Sequence, residues 1–283
     1  MSAILCSNCR KLISSDETRC PHCGTTRPAV LRGPLAALFH GNLDLLTVVW
    51  WVSGAMFLIS VALDARSALS IEGLSSLSGL MSFGSPSMAA LYLMGMTGGL
   101  AWECGHYWTL LTATFLHGGM LHIFFNLYWL RILGPATTSV IGPAWFTVIY
   151  LLTGVGGFLL SNIYSGVPTI GASCSVFGLM GVLVVYGRRR GGSFGENLSR
   201  QVLSWAIIGF LISFMIPNVN NAGHIGGFVT GMALGSLIPL SGRGEGRSIQ
   251  LLAVALVTAT VAGFALSGWK MWQVYQTGLA VCF

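Results

Sequence analysis

Long apolar stretches alternate with short breaks rich in glycine, proline and polar residues over most of this chain. The pattern predicts helices at about 46–64, 107–133, 143–162, 172–187, 200–217, 221–240 and 249–269. Most of these approach the roughly 20 apolar residues that a helix needs to cross a hydrocarbon layer about 30 Å thick. Their interiors hold no acidic residue. The expected fold class is therefore an all-α polytopic membrane protein. The divisions read from the pattern are a small head at 1–33, a linker at 34–45, a helical core at 46–240, and a loop with a last helix at 241–283.

The informative positions are the few polar ones inside this apolar background. The second stretch carries His117-Gly-Gly-Met-Leu-His122-Ile-Phe-Phe-Asn126, and the spacing of four puts His122 and Asn126 on one helical face. The fourth opens with Gly171-Ala-Ser173, and the sixth with Asn220-Asn221-Ala-Gly223-His224. If the spans alternate, the second, fourth and sixth run in the same direction, so these residues share a depth. From Ser173 to the arginines at 188–190 lie roughly 15 residues, about 22 Å of helix, which leaves Ser173 several ångströms below the outer surface. The segment Ser165-Gly-Val-Pro-Thr-Ile-Gly171 must then enter the membrane without helical bonding, as backbone lining a watery cavity can. Gly223, Gly227 and Gly231 recur every four residues, and Ala172, Ser175, Gly178 and Gly181 are equally small. Such faces permit close helix packing, which would bring Ser173 and His224 within reach.

Composition adds the orientation. Hydrophobic residues make up 54% of the chain and charged residues 8%, with a formal net charge of +6. Arg10, Lys11, Arg19, Arg27 and Arg32 precede the first span. Arg131 falls near the end of the second, Arg188, Arg189, Arg190 and Arg200 follow the fourth, and Arg243 and Arg247 follow the sixth. With seven alternating spans these all lie on one side, leaving Arg66 and Lys270 on the other, so the amino terminus is expected in the cytoplasm and the carboxyl terminus outside. The positive charge thus reads as topology, and nucleic-acid binding by the core is not expected. The charged head preceding the first span does not have the form of a cleaved secretory signal and is expected to remain attached.

Within that head, Cys6-Ser-Asn-Cys9 and Cys20-Pro-His-Cys23 form two C-x2-C pairs, the spacing in which four thiolates close a tetrahedral zinc site. A head this small has little core of its own, so structural Zn(2+) held by Cys6, Cys9, Cys20 and Cys23 would supply much of its folding free energy. Two disulfides are the competing reading, which a cytoplasmic location disfavours. His22 is expected to be solvated, and Cys104, Cys174 and Cys282 have no paired spacing and are expected to be unpaired. The head resembles the zinc ribbons found at the ends of many microbial proteins.

On His117-x4-His122-x3-Asn126, Gly171-x-Ser173 and Gly223-His224, in that order and spacing, the chain resembles the rhomboid intramembrane serine proteases from the first span through the sixth. The resemblance implies a six-helix core with one added carboxyl-terminal helix and a Ser173–His224 dyad without an acidic third member. It implies an oxyanion site of His122, Asn126 and the Ser173 backbone N–H. Phe177 would set its ring against the histidine, and His117 would order the loop. Substrates would be single-span membrane proteins cut near the outer end of their helix, within the lipid bilayer, and no cofactor would serve catalysis. A prokaryotic plasma membrane is the expected location, with an organelle as the alternative. Three positions depart from the family pattern: Cys174 stands where a glycine usually follows the serine, Tyr107-Trp108-Thr109 replaces Trp-Arg, and Thr137-Thr138 follows Gly134-Pro135 in place of Glu-Arg. The first adds bulk beside the nucleophile, and the other two are expected to remove polar anchors from the scaffold.

Blander readings exist for each residue: serines in membrane helices are commonly packing residues, histidines can be satisfied in a core, and glycine stripes are common in helix packing. The convergence of three polar groups at one depth favours the dyad, because ionisable groups in membranes are costly. The second function class is a catalytically silent client-binding relative. A transporter is disfavoured by the absence of an evident inverted repeat or intramembrane carboxylate. Segment 65–106, with amphipathic patches around Met88–Met96, is expected to lie partly in the outer leaflet. Trp269, Trp272 and Tyr275 suit an interfacial belt. His40 and His106 are expected at an interface or in the outer loop, and the head is expected to dock a cytoplasmic protein partner.

Overall fold

The computed structural model describes residues 3–6, 11–22, 45–64, 83–240 and 246–278. The expected ligands Cys9 and Cys23, most of the linker, His40 and Cys282 lie outside the described residues. In the head, β1 (Ala3–Leu5) pairs antiparallel with β2 (Leu12–Ser14) in the register Ala3↔Ser14, Ile4↔Ile13, Leu5↔Leu12. The N–H of Cys6 extends the ladder by donating to the Lys11 carbonyl at 3.0 Å. Cys6, Ile13 and Cys20 are buried against one another at the end of this hairpin.

The rest is helical: α1 (Leu45–Leu63), the short α2 (Met88–Leu93), α3 (Leu100–Glu103) and α4 (Thr109–Thr112), then α5 (Met120–Ile141), α6 (Pro143–Tyr164), α7 (Ser173–Arg190), α8 (Gly192–Met215), α9 (Asn221–Leu237) and α10 (Arg247–Thr277). Leu46–Leu63, Pro143–Tyr164, Gly192–Met215 and Arg247–Thr277 are long and apolar enough to cross a membrane, and the bent pair Thr109–Phe115 with Met120–Ile141 makes a fifth candidate. Among the described residues α7 and α9 do not meet that measure, for visible reasons. α7 ends in Arg188, Arg189 and Arg190, and α9 has 17 residues, five of them glycines buried against other helices.

The second stretch differs from the sequence expectation of a continuous helix over 107–133. Its two parts meet at 93°. Thr109–Thr112 and the 3-10 turn Ala113–Phe115 stop at Leu116, whose backbone is extended, and Gly119 is extended as well before α5 begins. His117 thus lies in the break and not on the helix. At the other end α5 continues through Gly134-Pro135 to Ile141, so Arg131 is exposed at mid-helix instead of marking the helix end. Gly142, with φ 95°, stops α5, and Pro143 at the first helical position starts α6 without sacrificing a bonded N–H.

α7 is the central element, with nearly every residue from Cys174 to Gly187 buried. α6 and α8 pack against it antiparallel, and α9 packs against it parallel. The parallel register is carried by glycine. A Cβ on Gly227 would strike the Cys174 backbone, one on Gly231 the Gly178 backbone, and one on Gly235 would stand 3.0 Å from Val182 Cα. These steps of four on both helices set one ridge of α9 directly on the backbone of α7. The surrounding helices present Trp51, Leu58, Ile208, Leu211 and Val261 outward.

α10 lies against α6, through Ala253 with Ala144 and Val148, and against α4. Trp108 Nε1 donates to Ser267 Oγ at 3.2 Å, and a Cβ on Gly263 would meet the Trp108 side chain. Trp108 is held by α10, Thr109 Oγ1 donates to the His106 carbonyl at 2.6 Å, and Thr138 Oγ1 donates to the Gly134 carbonyl of its own helix at 3.0 Å. Cys104, expected unpaired, is disulfide-bonded.

The glycine register generates a stability prediction. Gly231→Leu forces a side chain into the Gly178 backbone and is expected to destabilise the protein by about 1–3 kcal/mol or more. Thermal unfolding in detergent measures this, and an unchanged melting temperature would contradict the register.

Candidate active site

Residues 165–172 run from α6 to α7 without regular helical bonding. Thr97 and Thr169 form an antiparallel bridge there, with N–H to O distances of 3.3 and 2.8 Å. Gly171, at φ 118°, donates its N–H to the Ala113 carbonyl at 2.9 Å. A side chain at 171 is sterically barred, because its Cβ would stand 2.6 Å from His122 Nε2. The chain then turns into α7 with Ser173 as the first helical residue, partly exposed while Cys174 and Ser175 behind it are buried.

α9 begins at Asn221, capped by Asn220, whose Oδ1 accepts from the Gly223 N–H at 3.2 Å. One turn later His224 is buried, with Nε2 2.9 Å from Ser173 Oγ. The plane of its ring is fixed by Phe177, one turn after Ser173, stacked at 4.6 Å between centroids and 26° between planes. Phe177 is in turn backed by Phe210 of α8 at 4.4 Å. His224 Nδ1 has no hydrogen-bond partner among the described residues, and α5, α7 and α9 carry no carboxylate.

His122 stands on the other side of the serine loop. Its Nδ1 accepts from the Gly118 N–H at 3.2 Å, so the ring proton of the neutral imidazole resides on Nε2, the nitrogen that faces Gly171. Asn126, one turn further along α5 and buried, donates from Nδ2 to the His122 carbonyl at 2.9 Å. His117 is fully buried in the break, edge-on to His122 at 5.2 Å, where it packs the loop. The structure thus brings Ser173, His224 and Phe177 together directly, and places His122 beside the glycine two residues before Ser173.

Cys174 does not hold α9 away. Its side chain occupies the space left by Gly157 of α6 and Gly223 of α9, where a Cβ would lie 2.6 and 3.0 Å from Cys174 atoms. The extra bulk is matched by glycines on both neighbours. Among the described residues no group of three or more His, Cys, Asp or Glu is arranged to hold a metal ion. The sequence reading assigned no role to Asn220, Ser161, Thr169 or Thr97, which link the loops around the dyad. Asn220 carried a readable signal, a capping residue one turn ahead of a histidine.

Residues 104–240 match the family model of the rhomboid domain. The chain is 32% identical over 164 residues to rhomboid protease GluP of Bacillus subtilis (strain 168), an alignment covering 58% of this chain and 32% of that protein. It is also 32% identical over 152 residues to inactive RHOMBOID-like protein 8 of Arabidopsis thaliana, covering 51% of this chain and 42% of the relative. A third relative, the mitochondrial RHOMBOID-like protein 6 of Arabidopsis thaliana, is 32% identical over 146 residues, covering 50% and 48%. The chain spans less than half the length of each of these three. The domain match and the relatives support the rhomboid family and an integral membrane protein, in a family that includes both proteases and inactive members.

Proposed function

We propose that this rhomboid-domain chain is an intramembrane serine endopeptidase that cleaves transmembrane segments through Ser173 and His224. The carrying observation is the 2.9 Å contact between Ser173 Oγ and His224 Nε2, within the reach a general base needs. Ser173 Oγ attacks the scissile carbonyl carbon while its proton passes to His224 Nε2. The tetrahedral intermediate collapses as His224 returns that proton to the leaving amine, leaving an ester on Ser173. Water, deprotonated by the same nitrogen, then hydrolyses the ester and releases the carboxyl product. The Phe177 stack restrains the imidazole to a tilt suited to both transfers.

The negative charge of the intermediate needs donors that are present before the reaction. His122 Nε2–H, the Asn126 amide and the Ser173 backbone N–H are the proposed set. The bond from Gly118 supports this role for His122 because it leaves the proton on the nitrogen nearest the serine loop. His117 would order that loop. Peptide enters as an unwound strand, since a helical peptide bond is enclosed by its own hydrogen bonds. Single-span membrane proteins are the proposed substrates.

The architecture proposed around this site is a six-helix core plus α10, with the amino terminus cytoplasmic and the carboxyl terminus outside, in a prokaryotic plasma membrane. For the head, Cys6 and Cys20 are buried together at the hairpin end, which fits half of a tetrathiolate set. Cys6, Cys9, Cys20 and Cys23 would hold structural Zn(2+), whose contribution would be to folding the head and not to catalysis. The proposed role of the folded head is to dock a cytoplasmic protein.

Cleavage of a panel of single-span model substrates by reconstituted protein tests the enzymatic reading. Wild type is expected to cleave, Ser173→Ala and His224→Ala to abolish cleavage, and His122→Ala to lower the rate by about 10² to 10³. Wild type inactive across the panel would favour a catalytically silent client-binding protein. For the head, about one zinc per chain is expected in the purified protein, falling on Cys20→Ser. Zinc content unaffected by that substitution would sink the metal assignment.

A further inference from the structure

One helical turn ahead of the dyad stands a second pair with the same sequence offset. Thr169 is four residues before Ser173, and Asn220 is four before His224. Asn220 Nδ2 donates to Thr169 Oγ1 at 2.8 Å and to Ser161 Oγ of α6 at 2.5 Å, while its Oδ1 caps the Gly223 N–H. Ser161 and Thr169 hydroxyls lie 3.2 Å apart, and the Thr169 hydroxyl donates onward to the Val167 carbonyl at 2.8 Å. The Thr169 backbone is bridged to Thr97, whose Oγ1 accepts from Asn162 Nδ2 at 3.3 Å. Thr97 and Ser161 are fully buried, and Asn162 and Thr169 nearly so.

We infer that Asn220 is a positioning residue for the proposed hydrolysis, setting the Ser173–His224 separation by fastening the serine loop and α6 to the first turn of α9. The inference rests on the protease reading. The glycine contact between α7 and α9 holds the helices close, but contact of smooth backbone surfaces resists sliding along the axis weakly. A hydrogen bond is directional and, in a dry interior, costly to leave unmade. Asn220 is the one side chain in this cluster bonded to both the serine loop and the histidine helix. Its bond to Thr169 crosses the same two segments as the dyad, so a shift of α9 that lengthens one lengthens the other. The bridge to Thr97 extends the lock to the outer loop.

Asn220→Ser keeps a capping hydroxyl but cannot span to Thr169, and Thr169→Val removes the acceptor with little change of shape. The measurement is kcat and KM on a transmembrane model substrate, with the melting temperature in detergent as control. Each variant is expected to lower kcat roughly 10- to 100-fold with KM within about twofold, since a misplacement near 1 Å costs that much. The double variant is expected within about threefold of the worse single one, because both break one contact. Three results would overturn the role: kcat within twofold of wild type in both variants, losses that multiply, or losses that follow a collapse of the melting temperature. Wild type without cleavage or Ser173 labelling would instead remove the protease reading, and the positioning role with it.

Discussion

Everything at the candidate site depends on how closely α9 lies on α7. A serine at the start of one helix and a histidine in the first turn of another meet at 2.9 Å because Gly227 and Gly231 let one backbone rest on the other. The register repeats every four residues, so the contact that seats Gly231 on Gly178 also keeps α9 close against α7 at the level of Ser173 and His224, while directional bonds such as that of Asn220 to Thr169 oppose its sliding. Cys174 fits into this arrangement because α6 contributes Gly157 at the same level. The polar chemistry is therefore built on an apolar packing problem solved by absent side chains.

The second constraint is the fate of backbone polar groups where the helices break at membrane depth. Unsatisfied N–H and C=O groups are expensive there. The breaks before Ser173 and before α5 meet the requirement by borrowing from their neighbours: Gly171 bonds to Ala113, Thr169 to Thr97, and Gly118 to the His122 ring. Each of these bonds also places a residue of the site, so satisfying the backbone and shaping the site are one arrangement. The same economy recurs at the far end of α9, where Arg189 Nη1 donates to the Gly235 and Ile238 carbonyls.

Much of this was legible in the sequence. Apolar length located α1, α6, α8 and α10, and the glycine spacing anticipated the face on which α9 packs. Ser173 and His224 were drawn together by common depth and by motif spacing, and the structure sets them 2.9 Å apart. The break at Leu116–Gly119 was missed because apolar residues on both sides continue the pattern, although Gly118-Gly119 is a turn signal that hydropathy alone ignores. Arg131 misled in the same way, since a charge was taken as a helix end where α5 runs on through Pro135. The disulfide at Cys104 and the Trp108–Ser267 contact depend on tertiary neighbours distant in sequence, and no local pattern encodes them. α7 and α9 read as spans by pattern although one carries three arginines and the other is short, because their glycine-rich faces are covered by other helices.

The central claim is that His224 activates Ser173. The most direct test treats the purified protein with an alkyl fluorophosphonate and maps the adduct by mass spectrometry in wild type and His224→Ala. Phosphonylation confined to Ser173 in wild type, with labelling at least about 100-fold slower in the variant, is the result the account predicts. Labelling of Ser173 at an equal rate in both proteins, or no labelling of wild type at all, would contradict it.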